Sequence, residues 1–186
     1  MQIRVLCFGA SITAGWTSSG LHYYPYATRL SARLADELPT SHFSIDVDGS
    51  PGDMVIHGQY MNRMTKDIET ANVPYDWVVI QAGGNDLAWN NASETIYAKM
   101  QAVWNIPLKA GAKVLALTVT EHAHASPQLK ARWENLNGLV SNHHQDGFYV
   151  AHVAKAIPWT GMDNGQRKEI WGTCLSASFI PHCLTI

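Results

Sequence analysis

With 186 residues, 46% of them hydrophobic and 15% charged, the chain is long enough to bury one continuous core without disulfides or metal staples, and it is neither disordered nor fibrous. Thirteen Lys and Arg against fifteen Asp and Glu, a net charge of -2 with no dense basic run, exclude the electrostatic footprint of a nucleic-acid binder and leave small molecules and neutral polymers as ligand classes. Cys7, Cys174 and Cys183 form an odd set whose spacing fits no zinc or redox motif, so neither a disulfide framework nor a metal site is expected.

An apolar run begins at Ile3 with no charged leader ahead of it, and no apolar run approaches the roughly 20 residues that span a bilayer. The expectation is a cytoplasmic protein without a membrane span. Ile3 to Phe8, closed by Gly9, reads as the first strand, and Phe43 to Val47, closed by Asp48-Gly49, as the second. Between them, Tyr26 to Leu38 carries Leu30, Leu34 and Leu38 at helical spacing and stops at Pro39. Tyr60 to Ile68 repeats that pattern with Met61, Met64 and Ile68. Trp77 to Ile80 is a third strand ending at Gly83-Gly84; Ser93 then reads as the cap of a helix with Ile96, Met100, Val103 and Trp104 on one face. Lys113 to Leu117 is a fourth strand, Gln128 to His144 a helix striped by Leu129, Trp133, Leu136 and Val140, and Phe148 to Val150 a fifth strand. Strand and helix in regular alternation imply an α/β fold, a parallel sheet with helices on both faces.

Ligands of such sheets bind beyond the carboxyl ends of the strands, so the residues after each strand carry the chemistry. These are Gly9-Ala10-Ser11-Ile12-Thr13, Gly49-Ser50-Pro51-Gly52-Asp53, Gly83-Gly84-Asn85-Asp86 and Thr118-Val119-Thr120-Glu121-His122. Neither a P-loop nor a Gly-x-Gly-x-x-Gly fingerprint occurs. A serine in a tight Gly-containing turn can present its hydroxyl and its own N–H to a reacting carbonyl, and a loop glycine N–H with an asparagine amide can stabilise the resulting anion without added charge. Taken singly, Ser11 also reads as a helix cap, Gly52 as a turn glycine and Asn85 as a cap or turn residue. Their joint occurrence after consecutive strands favours one shared site.

The block Phe8-Gly9-Ala10-Ser11-Ile12-Thr13-Ala14-Gly15, with Gly52 and Gly83-Gly84-Asn85-Asp86, resembles the SGNH (GDSL-like) esterases and lipases, over residues 1 to about 172. The resemblance implies a three-layer α/β/α, flavodoxin-like fold around a central parallel five-stranded sheet. It also implies a carboxylic ester hydrolase without metal or cofactor, acting on small-molecule or carbohydrate esters. Ser11 would be the nucleophile, and the Ser11 N–H, the Gly52 N–H and the Asn85 side chain the oxyanion hole. Two departures stand out. Ala10 occupies the position where the family has Asp, and the late Asp-x-x-His block that supplies the base is replaced, with Thr173 at the Asp position and Ser176 at the His position. His182 alone of the histidines lies in the tail, preceded at three residues by Phe179. His122 and His124 follow the fourth strand on the functional edge; His22, His42, His57, His143, His144 and His152 have no motif around them.

Residues 1–172 thus read as the hydrolase-like domain and 173–186 as an atypical tail without a charged side chain. Gly172-Thr173-Cys174 can be encoded with a splice-donor-like GTACGT and Leu184-Thr185 with a branch-point-like CTGAC. The expectation is a translated intron in place of the Asp-x-x-His exon, which an uninterrupted coding frame with no in-frame Asp-x-x-His downstream would refute. Three functions follow: a serine esterase for small or medium acyl esters, acetylated carbohydrates included; a silent member that binds an ester or glycan; and an α/β scaffold acting through protein contacts. Oligomeric state is not legible.

Overall fold

Strand β1 (Gln2–Gly9) is apolar on both sides of its pleat because helices cover both faces of the sheet it joins. The computed structural model describes residues 1–17, 20–122 and 125–171. After β1 come a one-turn helix α1 (Ser11–Ala14) and a small antiparallel hairpin, β2 (Trp16–Thr17) with β3 (His22–Tyr23). The chain continues through α2 (Ala27–Glu37), β4 (His42–Gly49), α3 (Gly58–Thr70), β5 (Trp77–Ile80), a short α4 (Gly84–Ala88) and α5 (Ser93–Lys109). It closes with β6 (Lys113–Leu117), α6 (Pro127–Ser141), β7 (Phe148–Ala151), α7 (Val153–Ala156) and α8 (Asn164–Trp171). The main sheet runs β4-β1-β5-β6-β7 with every pair parallel. Counting those five in chain order gives 2-1-3-4-5, the flavodoxin-like arrangement that the resemblance implied.

Alternation along β1 and β5 divides the core in two. Leu6, Phe8, Val78 and Ile80 face Tyr60 and Met64 of α3, Ile96, Met100, Val103 and Trp104 of α5, and Leu136 and Val140 of α6. Val5, Cys7 and Val79 face the other way, onto Ala27 and the half-buried Tyr26 and Leu30 on and beside α2. Full burial of each large apolar side chain contributes about 1.5–3 kcal/mol, so the first face holds most of the stability.

The expected elements are present with shifted ends. Tyr26 and Leu38 are the caps of α2 rather than part of it, and α3 extends past the expected helix at both ends. Helix α6 starts where Ser126 Oγ accepts the Leu129 N–H at 3.1 Å, with Pro127 in the first turn where its missing N–H costs nothing. It stops short of His144. Ser93 is not a cap: Ala92 holds that position, and the buried Ser93 hydroxyl donates across to the Arg132 carbonyl at 2.9 Å, fastening α5 to α6.

Candidate active site

From β1 the chain moves outward to β4 and then crosses back to β5, so the direction of strand addition reverses between β1 and β5 and leaves a crevice beyond their carboxyl ends. Ser11 follows β1 and opens α1. A side chain on Gly9 would collide with Thr13 Oγ1 and come 2.9 Å from the Gln81 carbonyl, and one on Gly49 would collide with the Ala14 backbone. Those glycines therefore let α1 fold back against the ends of β4 and β5. Ala10 is the cap of α1 and makes no side-chain hydrogen bond, so Ser11 does not serve as a cap. Its side chain is fully buried, and among the described residues its Oγ has no hydrogen-bond partner.

Gly52 lies in the turn Ser50-Pro51-Gly52-Asp53, closed by the Asp53 N–H donating to the Ser50 carbonyl at 3.1 Å. Proline followed by a glycine at φ 80 is the pattern of a type II turn, which by itself accounts for the glycine. The Ser50 N–H donates to the Gly9 carbonyl at 3.1 Å and sews this turn to the one before Ser11.

Asn85 is buried in α4, whose cap Gly83 has φ 95. A β-carbon there would meet Leu136 Cδ2 at 2.8 Å and Ile96 Cγ2 at 3.2 Å, so glycine lets α4 start flush against α5 and α6. The Asn85 amide donates to the Asp53 carbonyl at 2.9 Å. That acceptor fixes the amide orientation, and among the described residues one of the two Nδ2 hydrogens is used. Asp86, fully buried, accepts the Val55 N–H at 3.1 Å and the Ile56 N–H at 3.0 Å. Burial pushes its carboxyl above the usual range, while the Ile56 and Val55 donors and the nearby His57 pull it back. The turn carrying Gly52 thus hangs from two consecutive residues of α4.

A fourth participant, Arg63 of α3, has no place in the motif reading. Its Nε contacts Asp53 Oδ2 at 3.0 Å, its Nη1 pairs with Asp48 at the end of β4, and its Nη2 donates to the Gly9 carbonyl at 2.9 Å. The guanidinium carbon lies 4.5 Å from the Phe8 ring centroid. The signal was available: Tyr60, Arg63, Met64, Asp67 and Ile68 occupy one core-facing helical stripe, and two of the five are charged.

Asp67 shares this cluster. Burial, with Asp48 as hydrogen-bonding neighbour and like charge, pushes its carboxyl up to about 7 against the pull of Arg63 and Lys66. Between the ordinary value near 3.8 and about 7 the folded protein holds a proton that the unfolded chain has released, so this group lowers stability as pH rises through that window. Asp67→Asn is expected to remove the slope. In urea titrations from pH 4.5 to 8, the variant should gain stability over the parent progressively toward pH 8, and a constant difference would count against it.

Beyond β6, Val119 is clamped by Asn137, which accepts its N–H at 2.8 Å and donates back to its carbonyl at 2.9 Å. Glu121 accepts the Thr160 N–H at 2.9 Å and the Thr160 hydroxyl at 3.1 Å. His122 is half-buried there. His22, His42, His57, His144 and His152 are exposed. His143 joins an aromatic cluster with Trp104 and Phe148, and its Nδ1 lies 2.8 Å from the Tyr97 hydroxyl. His124, Thr173, Ser176 and His182 lie outside the described residues, as do Cys174 and Cys183. Among the described residues, no three His, Cys, Asp or Glu side chains are grouped to hold a metal ion, and no helix is long and apolar enough to cross a membrane.

Residues 7–172 match the model of the GDSL-like lipase/acylhydrolase family. The chain belongs to this family. The GDSL-like assignment makes it, by family, a carboxylic ester hydrolase, as the resemblance implied. Its fold is that of AlinE4, an SGNH-hydrolase family esterase, at TM-score 0.70 and 15% identity, covering 95% of this chain and 98% of the other. TesA matches at TM-score 0.67 and 20% identity over 97% and 93% of the two chains. The lipase/acylhydrolase from Enterococcus faecalis matches at TM-score 0.67 and 18% identity over 97% and 96%. No curated protein matches the chain in sequence.

Proposed function

We propose that this GDSL-like protein is a serine esterase that cleaves small and medium acyl esters, acetyl esters included, through an acyl-enzyme on Ser11. In this reading Ser11 Oγ attacks the ester carbonyl carbon while a histidine takes its proton. The carbonyl oxygen, now anionic, is held by the Ser11 N–H, the Gly52 N–H and the second hydrogen of Asn85 Nδ2. Collapse expels the alcohol with the proton returned from the histidine, and water then releases the acid by the same steps in reverse. What supports the reading is the unspent hydroxyl: Ser11 Oγ is buried at the switch point of the sheet without a hydrogen-bond partner among the described residues, the kind of unsatisfied group that a catalytic role explains. Trp89, 67% exposed, donates its backbone N–H to the Asn85 carbonyl at 3.0 Å and offers an indole face to an acyl chain or a sugar ring; the half-buried Trp16 follows α1.

A second reading, a silent member that binds an ester or glycan without cleaving it, is favoured by Thr173 and Ser176 at the positions of the family's acid and base. His182 is the candidate base within the tail. A fluorophosphonate probe separates the two, because phosphonylation requires an activated serine. Intact-mass analysis should show one adduct, mapped to Ser11 by peptide digestion. A parent protein that stays unlabelled would leave the binding function standing.

A further inference from the structure

We propose that Arg63 is a positioning residue of this site, holding the Gly52 and Asn85 donors in register with Ser11 through one planar guanidinium. The inference rests on the oxyanion-hole reading above. Its three acceptors belong to three different segments: the Gly9 carbonyl two residues before Ser11, the Asp48 carboxylate at the end of β4, and the Asp53 carboxylate next to Gly52. Asp53 passes the constraint on, since its own carbonyl receives the Asn85 amide at 2.9 Å. Arg63 is therefore two hydrogen bonds from the asparagine donor and one residue from the glycine donor.

The chemistry favours arginine specifically. A guanidinium directs its N–H groups in a fixed plane, so acceptors bound to its three nitrogens are fixed relative to one another; a lysine ammonium is a single rotating point and cannot do this. The guanidinium carbon also packs 4.5 Å from the centroid of the Phe8 ring, at the end of β1. The site is enclosed, with side-chain exposures of 16% for Arg63 and 6% for Asp53, so the charges are weakly screened. At the turn itself the Gly9 carbonyl accepts both the Ser50 N–H and the Arg63 guanidinium, which supplies the charge there.

Donors that matter when the oxyanion forms affect kcat more than KM. Arg63→Lys and Arg63→Met are to be compared with the parent and with Arg33→Met, which breaks an exposed pair with Glu37 on α2. The substrate is p-nitrophenyl acetate, and the second readout is the NMR resonances of the Gly52 amide and the Asn85 side-chain amide in the free protein. Arg63→Lys, which keeps the charge, is expected to retain a Tm close to that of the parent yet lose about 10- to 100-fold in kcat with KM changed less than about 3-fold. Both resonances should shift or broaden, while Arg33→Met leaves everything unchanged. Should Arg63→Met fail to fold, Asp53→Asn replaces it. An unaltered kcat, or a kcat that falls only in step with Tm, overturns the proposal, as do unmoved Gly52 and Asn85 resonances. If the parent shows no Ser11-dependent hydrolysis, the esterase reading fails, and the two resonances alone decide whether Arg63 positions these groups.

Discussion

Replacing Ser11 by alanine is expected to lower hydrolysis of a short-chain p-nitrophenyl ester by at least about 10³-fold relative to the parent. On the proposed mechanism the loss is chemical: without Oγ there is no acyl-enzyme, and any residual rate comes from the anion-stabilising donors acting on direct attack by water. The same substitution should cost little stability. The removed oxygen is buried and makes no hydrogen bond among the described residues, so alanine relieves an unsatisfied polar atom rather than breaking a contact. A Tm equal to or above that of the parent, alongside a collapsed rate, is the expected pair of results, a pattern of sites that sacrifice stability for function. Equal rates for parent and Ser11→Ala would remove the catalytic role of this serine.

Asp86→Ala should act in the opposite way, through stability first. Its carboxylate receives the Val55 and Ile56 N–H groups at 3.1 and 3.0 Å, in a fully buried position. Alanine strands both donors, at about 1–3 kcal/mol each, and leaves a void where the carboxyl stood. The carboxyl is itself penalised by burial, which offsets part of the loss. The net expectation is about 3 kcal/mol, read as a fall in Tm of about 6–12 °C for a chain of this size. Asp86→Asn keeps the shape but turns an amide N–H toward one of the two donors, and should fall between. A loss below about 1 kcal/mol for Asp86→Ala would mean that the turn of Gly52 is held by Asn85 and Arg63 alone.

Much of this arrangement could be read from residue order. The five strands of the sheet announce themselves as apolar runs, the first three stopped by glycine or turn residues, and the parallel topology follows from the helices between them. Ser11, Gly52 and Asn85 stand out as candidates because each follows a strand in a small-residue loop. Asp86 stood in the quoted motif, but its partners Val55 and Ile56 are some 30 residues away and invisible to local pattern. Arg63 and Asp67 were harder to place: charged residues on a helix are ordinarily taken for its solvated side, whereas here they turn inward, Arg63 onto Asp48, Asp53 and the Gly9 carbonyl. The β2–β3 hairpin has two residues per strand, too few for any periodicity to register. Ser93 had the right residue type for a cap, but its hydroxyl finds a tertiary acceptor on Arg132 instead. His143 sits beside Trp104 and Phe148 because α5, α6 and β7 converge there, and no local spacing encodes that meeting.

The interior place of β1, between β4 and β5, has a consequence for the order in which the molecule can assemble. Its pairings are with residues 40 positions later on β4, as in Gln2 with His42, and 72 positions later on β5, as in Val5 with Trp77. At roughly 5–20 residues per second of synthesis, β1 waits about 4 to 14 s for its second neighbour. Until then the apolar run Val5 to Phe8 has an open edge. Such non-local pairing slows folding and exposes strand edges to association. The crevice and its chemistry can therefore form only in the later part of folding, once β5 has closed against β1.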